Sequence, residues 1–201
     1  MKLLMHICCA PCTIYPLEEL RSCGHDVQGL FYNPNIHPYR EYRKRLDTLA
    51  QYAGQCSLPV AYDEGYDLEG FLRNVAFRER DRCAYCYRIR MHRTAHVAKE
   101  AGFHGFTTTL LYSKFQKHVM IKEIGESLGK EHGIKFFYQD FRVGWQKGIV
   151  RSKEIGMYRQ PYCGCVYSER ERFYRAQGIE KSELAGDSNS VNGDCSRASL
   201  L

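Results

Sequence analysis

Seven of the ten cysteines in this 201-residue chain fall into three short clusters. Thiolates are both redox groups and ligands for soft metals. The first cluster comprises Cys8, Cys9 and Cys12, between a short apolar run and a helical pattern. The amide N–H groups and the positive dipole end of a helix that begins here would lower thiol pKa values and favour an anionic centre. Three thiols within so short a stretch indicate a chemical site rather than core filling.

The second cluster is Cys83 and Cys86, a CxxC pair at the start of a long helical pattern. Residues three apart on a helix face the same way, so both sulfurs can bind one centre. The pair alone is compatible with zinc, with an iron–sulfur cluster or with a redox disulfide. Together with the first cluster it completes four thiolates around one centre, and the spacing does not exclude zinc.

The third cluster is the CxC pair of Cys163 and Cys165. Such a pair chelates a metal or closes a small disulfide ring, whose strain makes the bond labile and suited to redox turnover. Cys23 and Cys56 have no cysteine neighbours, and we predict that they are structural or inert. We predict that Cys195, in a polar segment, is a spectator thiol.

Basic and aromatic side chains are interleaved around the second and third clusters. Arginines bind phosphates and aromatic rings stack on unpaired bases, a combination that suits recognition of a tRNA loop. Taken singly, these charges are typical of solvated helix faces, and only their grouping near cysteines favours RNA binding. The basic residues are Arg78, Arg80, Arg82, Arg88, Arg90, Arg93, Lys147, Arg151, Lys153 and Arg159, and the tyrosines are Tyr85, Tyr87, Tyr158, Tyr162 and Tyr167.

The hydrophobic pattern predicts strands alternating with helices, which must position these clusters. Pro16 is expected in the first turn of its helix, and Asp67 is expected to cap another. The alternation predicts an α/β fold with a mostly parallel, doubly wound sheet, a Rossmann-like or nucleotide-hydrolase-like core, and a helical C-terminal part. Ligands bind at the carboxyl edge of such sheets, where the first cluster falls. Strand patterns cover 2–7, 27–32, 58–62, 105–110 and 134–138, and helical patterns cover 13–22, 42–53, 68–75, 83–101, 116–128, part of 145–156, and 166–177.

Composition narrows the class of protein. The chain is 44% hydrophobic and 13% aromatic, which is enough for a core, and it has no apolar run of about 18 residues, so no membrane span is expected. No export signal is recognisable, so the cysteines favour a cytoplasmic metal or redox protein over a disulfide scaffold. A net charge of +6 suits a polyanionic partner. We predict one domain over 1–180 and a disordered tail over 181–201.

Four segments of the chain are distinctive: HICCAPC at 6–12, RCAYCYRIR at 82–90, TTTLLYSKFQKH at 107–118 and YRQPYCGCVYS at 158–168. In this order they closely resemble the epoxyqueuosine reductase family of the QueH type, from residue 2 to about residue 177. The resemblance implies the final step of queuosine biosynthesis, in which two electrons and two protons remove the epoxide oxygen of epoxyqueuosine as water. It implies a wobble-position substrate in the tRNAs for Asn, Asp, His and Tyr, a low-potential electron donor of unidentified nature, and no cobalamin.

The resemblance also implies roles for the cysteines. The catalytic pair Cys163 and Cys165 would act as a redox disulfide or as ligands of one additional iron. Cys12 is a further candidate ligand of that iron, and one of the two adjacent thiolates of the first cluster is another. Because cysteines replace a Gly-rich phosphate loop, no ATP use is expected. The ligands of a [4Fe–4S] cluster would be Cys8, Cys9, Cys83 and Cys86.

The hypothetical mechanism is reduction of the cluster by the donor, electron transfer to the epoxide carbons, and protonation of the departing oxygen. An iron acting as a Lewis acid on that oxygen is one route. Tyr167, Tyr112 and His118 are candidate proton donors, although each residue type is more often structural.

Two other functions are compatible with the cysteines. A non-catalytic module, in which zinc or an iron–sulfur cluster staples a tRNA-binding surface, would not need the CxC pair. A thiol–disulfide or electron-transfer protein with a small-molecule partner would not need the grouped arginines and tyrosines. Serine substitution of Cys163 or Cys165 tests the first alternative, and the salt dependence of RNA binding tests the second.

Overall fold

The computed structural model describes residues 1–174, in which strands and helices alternate as far as the fifth strand. The predicted tail over 181–201, with Cys195, lies outside the described residues. Within residues 1–174, one short 3-10 helix and two α-helices follow the last strand, in agreement with the predicted helical C-terminal part. The strands are β1 (Lys2–His6), β2 (Asp26–Phe31), β3 (Val60–Tyr62), β4 (Gly105–Thr108) and β5 (Lys135–Phe136).

Seven α-helices surround the sheet, and two short 3-10 helices, Thr109–Tyr112 and Phe141–Gly144, lie near its edge. None of the helices within residues 1–174 has the length and apolar character that crossing a membrane requires. The α-helices are α1 (Ala10–Ser22), α2 (Tyr39–Gln55), α3 (Leu68–Val75), α4 (Arg82–Glu100), α5 (His118–His132), α6 (Trp145–Glu154) and α7 (Val166–Phe173).

All five strands are parallel, in the order β3-β2-β1-β4-β5, which confirms the predicted doubly wound α/β fold. The chain builds outward from β1 to β2 and β3, then crosses back to place β4 on the other side of β1. The strand order therefore reverses between β1 and β4. In open α/β sheets, ligands bind in the crevice at the carboxyl ends of the strands flanking such a reversal.

The carboxyl ends of β1 and β4 are joined by His6, a fully buried residue of the central strand. Its Nδ1 lies 3.0 Å from the Thr108 hydroxyl, and its Nε2 lies 3.2 Å from the carbonyl oxygen of Tyr32. Burial, with a contribution from Arg90, lowers the pKa of His6 to about 3, so the ring is neutral at pH 7. A neutral ring that donates from Nε2 and accepts at Nδ1 satisfies both neighbours and fixes the strand ends around the crevice.

Several element boundaries differ from the prediction. Helix α1 begins at Ala10 rather than at residue 13, because Cys9 is extended and Pro11 suits a first turn. Pro16 therefore lies inside the helix, where it removes one backbone donor, and not in the first turn as predicted. Strand β4 ends at Thr108, whose side chain accepts from the Leu110 N–H and starts a 3-10 helix where strand was predicted. The predicted cap is confirmed, since the Asp67 carboxylate accepts from the N–H of residue 70 at 2.9 Å.

Candidate thiol-lined active site

Cys8, Cys9 and Cys12 lie together where β1 ends and α1 begins, at the point where the strand order reverses. Cys9 directly precedes the helix, so Cys9 and Cys12 stand one turn apart at its start. The three sulfur atoms lie within 4.8 Å of one another, and those of Cys8 and Cys9 are 3.7 Å apart. We refer to this compact group of three sulfurs as the thiol triad.

The triad concentrates negative charge at Cys8. Hydrogen bonds from the thiols of Cys12 and Cys9 hold the pKa of Cys8 well below the ordinary thiol value. The Thr109 hydroxyl, at the end of β4, also donates to the Cys8 sulfur, at 3.3 Å. Burial raises the pKa of Cys9, and hydrogen bonding to Cys8 raises the pKa of Cys12. The triad is therefore a sulfur donor set with one readily formed thiolate, which suits a soft cation.

The CxxC pair lies at the start of α4, as predicted, and its second cysteine is buried next to Arg90. Arg90 donates to the sulfur and to the carbonyl oxygen of Cys86, each at 3.0 Å. Burial raises the pKa of Cys86 to about 12, and the Arg90 charge opposes that rise. Burial disfavours the charge of Arg90, but the thiols of Cys86, Cys163 and Cys8 raise its pKa above the usual value. Arg90 is thus a positive group common to all three cysteine clusters.

Residues 157–165 connect α6 to α7 without helix or strand, and we call them the C-terminal arm. The arm returns to the carboxyl edge of the sheet, where the Gln160 amide donates to the Cys9 sulfur at 2.8 Å. Cys165, at the end of the arm, packs against Cys86 in a small apolar cluster. The arm therefore brings the CxC pair next to both of the other cysteine clusters.

A buried ion pair on α2 holds the arm in place. Arg45 donates to the carbonyl oxygens of Cys163 at 2.8 Å and Tyr162 at 3.0 Å, and pairs with Glu41 at 2.7 Å. The side chain of Arg45 is 1% exposed and that of Glu41 is 10% exposed. The Tyr158 hydroxyl donates to the second carboxylate oxygen of Glu41 at 2.6 Å. Because buried charges require a full set of partners, the ion pair and the arm depend on each other.

Gly164, between the two cysteines of the CxC pair, has a φ of +148°, a conformation that favours glycine. Its carbonyl oxygen accepts from the His37 N–H at 2.8 Å. A Cβ at this position would lie 3.2 Å from the side-chain nitrogen Nδ2 of Asn35 and 3.3 Å from a guanidinium nitrogen of Arg45. Both the backbone conformation and the close approach therefore require glycine here.

Thiols of the first and third clusters line one pocket, of about 420 Å³, at the carboxyl edge of the sheet. Cys8, Cys12 and Cys163 contribute to its wall, and Gln116 donates to the Cys163 sulfur at 3.3 Å. Arg90 also reaches the pocket, whereas Cys83, Cys86 and Cys165 are absent from the part of its lining that the described residues form. Aromatic side chains also line this pocket, and we call this part of its lining the aromatic wall.

The aromatic wall consists of Tyr112, Phe115 and Trp145. The ring centroids of Tyr112 and Trp145 are 5.1 Å apart, and Phe115 meets Trp145 edge-on at 5.6 Å. Phe115 is 85% exposed, so its ring is available at the pocket mouth. Arg159 and Arg172 border the same pocket and add positive charge. A planar, anionic ligand would find stacking surfaces and guanidinium groups here.

The positions of the cysteines differ in part from the grouping that the resemblance implied. Cys8 and Cys9 are closest to Cys12, and they approach the second cluster through Arg90 and the arm. Cys163 and Cys165 are not bonded to each other, because all nine cysteines within residues 1–174 are free thiols. The turn at residue 164 sends one sulfur toward the pocket and the other toward Cys86, so the disulfide that the sequence left open is not formed.

The structure separates the three candidate proton donors. Tyr112 lines the pocket, and its hydroxyl donates to the carbonyl oxygen of Trp145 at 2.9 Å. His118 instead lies 3.0 Å from the Tyr138 hydroxyl, and neither His118 nor Tyr167 belongs to the pocket wall formed by residues 1–174. Tyr112 is thus the candidate that the geometry favours.

Several of the predicted basic residues are engaged in ion pairs, as expected of solvated helix faces, although Glu171, the partner of Arg82, lines the pocket. Of the ten predicted positions, Arg90 and Arg159 line the pocket, and Arg172 joins them from α7 without having been predicted. The ion pairs are Arg82 with Glu171, Arg88 with Glu131, Arg93 with Asp63, Lys147 with Glu18, and Arg151 with Glu154.

The sequence analysis missed the residues that support the thiols. Arg45 did carry a signal, because it lies three residues after Tyr42 and four before Leu49, within the apolar stripe of α2. A charge at such a position must find a buried partner. The hydrogen-bonding residues had no comparable signal in the sequence, since they act on thiols distant in sequence: Gln116 on Cys163, Gln160 on Cys9, and Thr109 on Cys8.

The chemistry of the donors fits an iron–sulfur cluster. Such clusters are held by cysteine thiolates, and hydrogen bonds to sulfur tune them. Three sulfurs lie within 4.8 Å at the triad, and more cysteines lie around the same edge. Zinc accepts the same donors, so the donor set fits both groups.

Comparisons with known proteins find a matching family model and similar relatives. The family model described as "Epoxyqueuosine reductase QueH" matches residues 3–171. An epoxyqueuosine reductase QueH of Dehalococcoides mccartyi is 37% identical over 172 residues, covering 86% of this chain and 94% of the relative. One from Thermotoga maritima is 39% identical over 180 residues, covering 84% and 91%. One from Streptococcus pyogenes serotype M1 is 31% identical over 205 residues, covering 96% and 78%.

Proposed function

This chain belongs to the QueH family of epoxyqueuosine reductases, which are oxidoreductases, and we propose that it converts epoxyqueuosine in tRNA to queuosine. The reaction takes up two electrons and two protons, breaks both C–O bonds of the epoxide, forms a C=C bond and releases the oxygen as water. The observation that carries the proposal is one pocket lined by both thiols and aromatic rings. Redox groups and a surface for a nucleobase face the same space.

The aromatic wall supports a nucleobase as the reacting part of the substrate. Unpaired bases of RNA loops stack on aromatic rings, and Phe115 offers an exposed ring with the half-buried Trp145 edge-on beside it. Arg159 and Arg172 can bind the phosphates on either side of a base that leaves the loop stack. We propose, as the family resemblance implies, that the substrate is the wobble nucleoside of the tRNAs for Asn, Asp, His and Tyr.

A [4Fe–4S] cluster is the redox cofactor that we propose, with one additional iron beside it. The sulfur-only donor set and the lowered pKa of Cys8 support it, because iron–sulfur clusters bind thiolates. When bound, the cluster supplies single electrons taken from a low-potential donor. The proposed cluster ligands are Cys8, Cys9, Cys83 and Cys86, and the ligands available to the additional iron are Cys12, Cys163 and Cys165.

The chain's own polar groups would stabilise anionic sulfur around this centre. Arg90 donates to Cys86, Thr109 to Cys8 and Gln160 to Cys9. Each of these donors favours the thiolate form and the more reduced state of a bound centre. Burial raises the pKa of Tyr112, so its hydroxyl keeps its proton at neutral pH and can serve as an acid once a ligand displaces its bond to Trp145.

We also propose the cytoplasm as the compartment of this reaction. tRNA is the substrate, and the nine cysteines within residues 1–174 are free thiols, which fits a reducing compartment.

An anaerobic turnover assay tests the proposal. The full chain, reconstituted with iron and sulfide and reduced with dithionite, is mixed with tRNA carrying epoxyqueuosine, and the nucleosides are read by mass spectrometry. We expect queuosine to appear, and we expect Cys163→Ser to abolish turnover while the exposed Cys23→Ser control retains it. Full activity in an iron-free, zinc-loaded protein would contradict the proposed cofactor. If no queuosine forms although the protein is fully loaded with iron, the proposed reaction is wrong.

A further inference from the structure

A second group of metal-ligating side chains lies between α4 and α5. His92 and His96 stand one turn apart on α4, and Glu131 and His132 are the last two residues of α5. One ligand atom from each of His92, Glu131 and His132 lies within 4.8 Å of the other two. The rings of His92 and His132 meet edge-on with their centroids 4.6 Å apart, and the His96 ring is 6.2 Å from that of His132. We call these four residues the histidine cluster.

The hydrogen bonding within the cluster leaves ligand atoms unused. The Nε2 atom of His132 is buried and has no hydrogen-bond partner among the described residues. Arg88 donates to one carboxylate oxygen of Glu131 at 2.8 Å, which leaves the other oxygen 3.8 Å from Nε2 of His92. A buried, unpaired ring nitrogen is costly, because it has lost its water without gaining a partner. Arg88 meanwhile holds the carboxylate in place.

We propose that the histidine cluster is a binding site for a divalent transition-metal ion, with Zn²⁺ as its preferred occupant. Imidazole nitrogens and a carboxylate oxygen are established zinc donors, and imidazole also accepts Ni²⁺ and Cu²⁺. His92, Glu131 and His132 supply three ligands, and His96 or water completes a tetrahedron. The site contains no thiol and shares no residue with the lining of the 420 Å³ pocket, so it is independent of the proposed redox centre.

The required side-chain movements are small. Ligand atoms about 2 Å from a tetrahedral ion stand about 3.5 Å from one another, so the cluster must contract by about 1 Å. The side chains of His92 and Glu131 are 49% and 41% exposed, so both are free to rotate and the ion can enter from solvent. A bound ion would tie the C-terminus of α5 to the middle of α4, the helix that carries the CxxC pair at its start.

Metal titration of the iron–sulfur-loaded full chain tests this site. The clustered cysteines that hold iron cannot compete for the added metal. Co²⁺ serves as a probe of any remaining cysteine, because thiolate ligation produces a strong charge-transfer band that nitrogen and oxygen ligands do not. We expect one equivalent of Co²⁺ or Zn²⁺ to bind without that band and to raise the melting temperature. His92→Gln and His132→Gln should each weaken binding at least about tenfold. The matched control His25→Gln removes a histidine outside the cluster and should bind as the unaltered chain does.

The remaining outcomes overturn the proposal. Three results would show that the cluster is only a packing contact between two helices. They are unchanged affinity in His92→Gln and His132→Gln, a thiolate charge-transfer band, and no binding at millimolar Zn²⁺. Iron content and turnover measured on the same samples distinguish loss of this site from loss of the redox centre. We expect both to be unchanged in the His92→Gln variant.

Discussion

The thiol triad and the C-terminal arm present cysteines to the same pocket but are held in place by different means. The triad occupies one short stretch, fixed by the end of β1 and the first turn of α1, and Cys9 and Cys12 are buried. The arm has no helix or strand, and its position rests on side chains more than 100 residues away, chiefly Arg45. The cysteines of the triad are therefore part of the folding core, whereas Cys163 of the arm is held by polar contacts and Cys165 lies in a separate small apolar cluster.

This difference divides the expected effects of substitution. Changes in the triad should alter the bound centre, because sulfur atoms of the triad are proposed ligands of that centre. Changes in the arm should alter the placement of the CxC pair and leave the sheet intact. Four tests by substitution examine this division, in order of decreasing effect.

Serine substitution of one cysteine in each region should give the largest effect. We expect Cys8→Ser to lose both bound iron and turnover, each by about a hundredfold, because it removes the thiolate of the triad. Cys163→Ser should lose turnover to a similar extent but keep most of its iron. Iron and sulfide analysis beside the anaerobic nucleoside assay measures both quantities. Equal loss of iron in the two variants would show that triad and arm form one inseparable ligand set.

Removal of the arm's anchor should give the next effect. Arg45→Met leaves the Glu41 carboxylate buried without its partner and frees the carbonyl oxygens of two arm residues. We expect the free energy of unfolding to fall by about 3 to 5 kcal/mol, measured in urea. Limited proteolysis should cut within 157–165 before it cuts elsewhere in the described part of the chain.

The double variant Glu41→Gln with Arg45→Met is the control for the buried charge. It should recover part of the lost stability, because no unpaired carboxylate remains, yet it should still expose the arm to protease. A double variant with a protected arm would show that the arm is anchored by contacts other than those of Arg45.

Alanine at the glycine of the CxC pair should have an intermediate effect. In Gly164→Ala the added Cβ has neighbours at 3.2 and 3.3 Å, and the residue must keep a φ of +148°. We expect the free energy of unfolding to fall by about 2 to 4 kcal/mol, with reduced turnover. Gly24→Ala is the matched control, because Gly24 also has a positive φ, +75°, but no atom within 4 Å of the added Cβ. That control should lose only about 1 kcal/mol and keep its turnover. If Gly164→Ala and Gly24→Ala lose the same stability, close packing of the arm does not contribute to the effect at residue 164.

Much of the fold could be predicted from the sequence, because the apolar periods are strong. Each predicted strand and helix has a counterpart within residues 1–174, and the carboxyl edge of β1 was the predicted site. The errors fall where local polar contacts compete with periodicity. The last residues predicted for β4 form a 3-10 helix, because the Thr108 side chain accepts from the backbone there. Helix α1 begins before Pro11, whereas the prediction placed Pro16 in its first turn.

The candidate site was predictable only in its cysteines. Their types and spacing predict thiolate chemistry, but they do not predict which sulfur atoms lie closest to one another. Cys12 is nearer to Cys8 and Cys9 than its predicted role implied. Glu41 and Arg45 have the spacing of an ordinary surface pair on a helix, and only the place of Arg45 within the apolar stripe of α2 indicated burial. Only the return of the arm to α2 buries them, and no local pattern records a contact between residues so distant in sequence.

The substitution with the smallest expected effect tests whether Glu41 attaches the arm to α2 independently of Arg45. Tyr158→Phe removes one hydrogen bond, of 2.6 Å, to a carboxylate oxygen of Glu41 that Arg45 does not occupy. We expect a loss of about 1 to 2 kcal/mol in urea unfolding, because the acceptor is charged. Tyr162→Phe is the matched control on the same arm, since its hydroxyl donates to the neutral carbonyl oxygen of His37 and should cost about 1 kcal/mol or less. If the two variants lose the same stability, the charge of Glu41 adds nothing to the attachment of the arm, and Arg45 alone accounts for it.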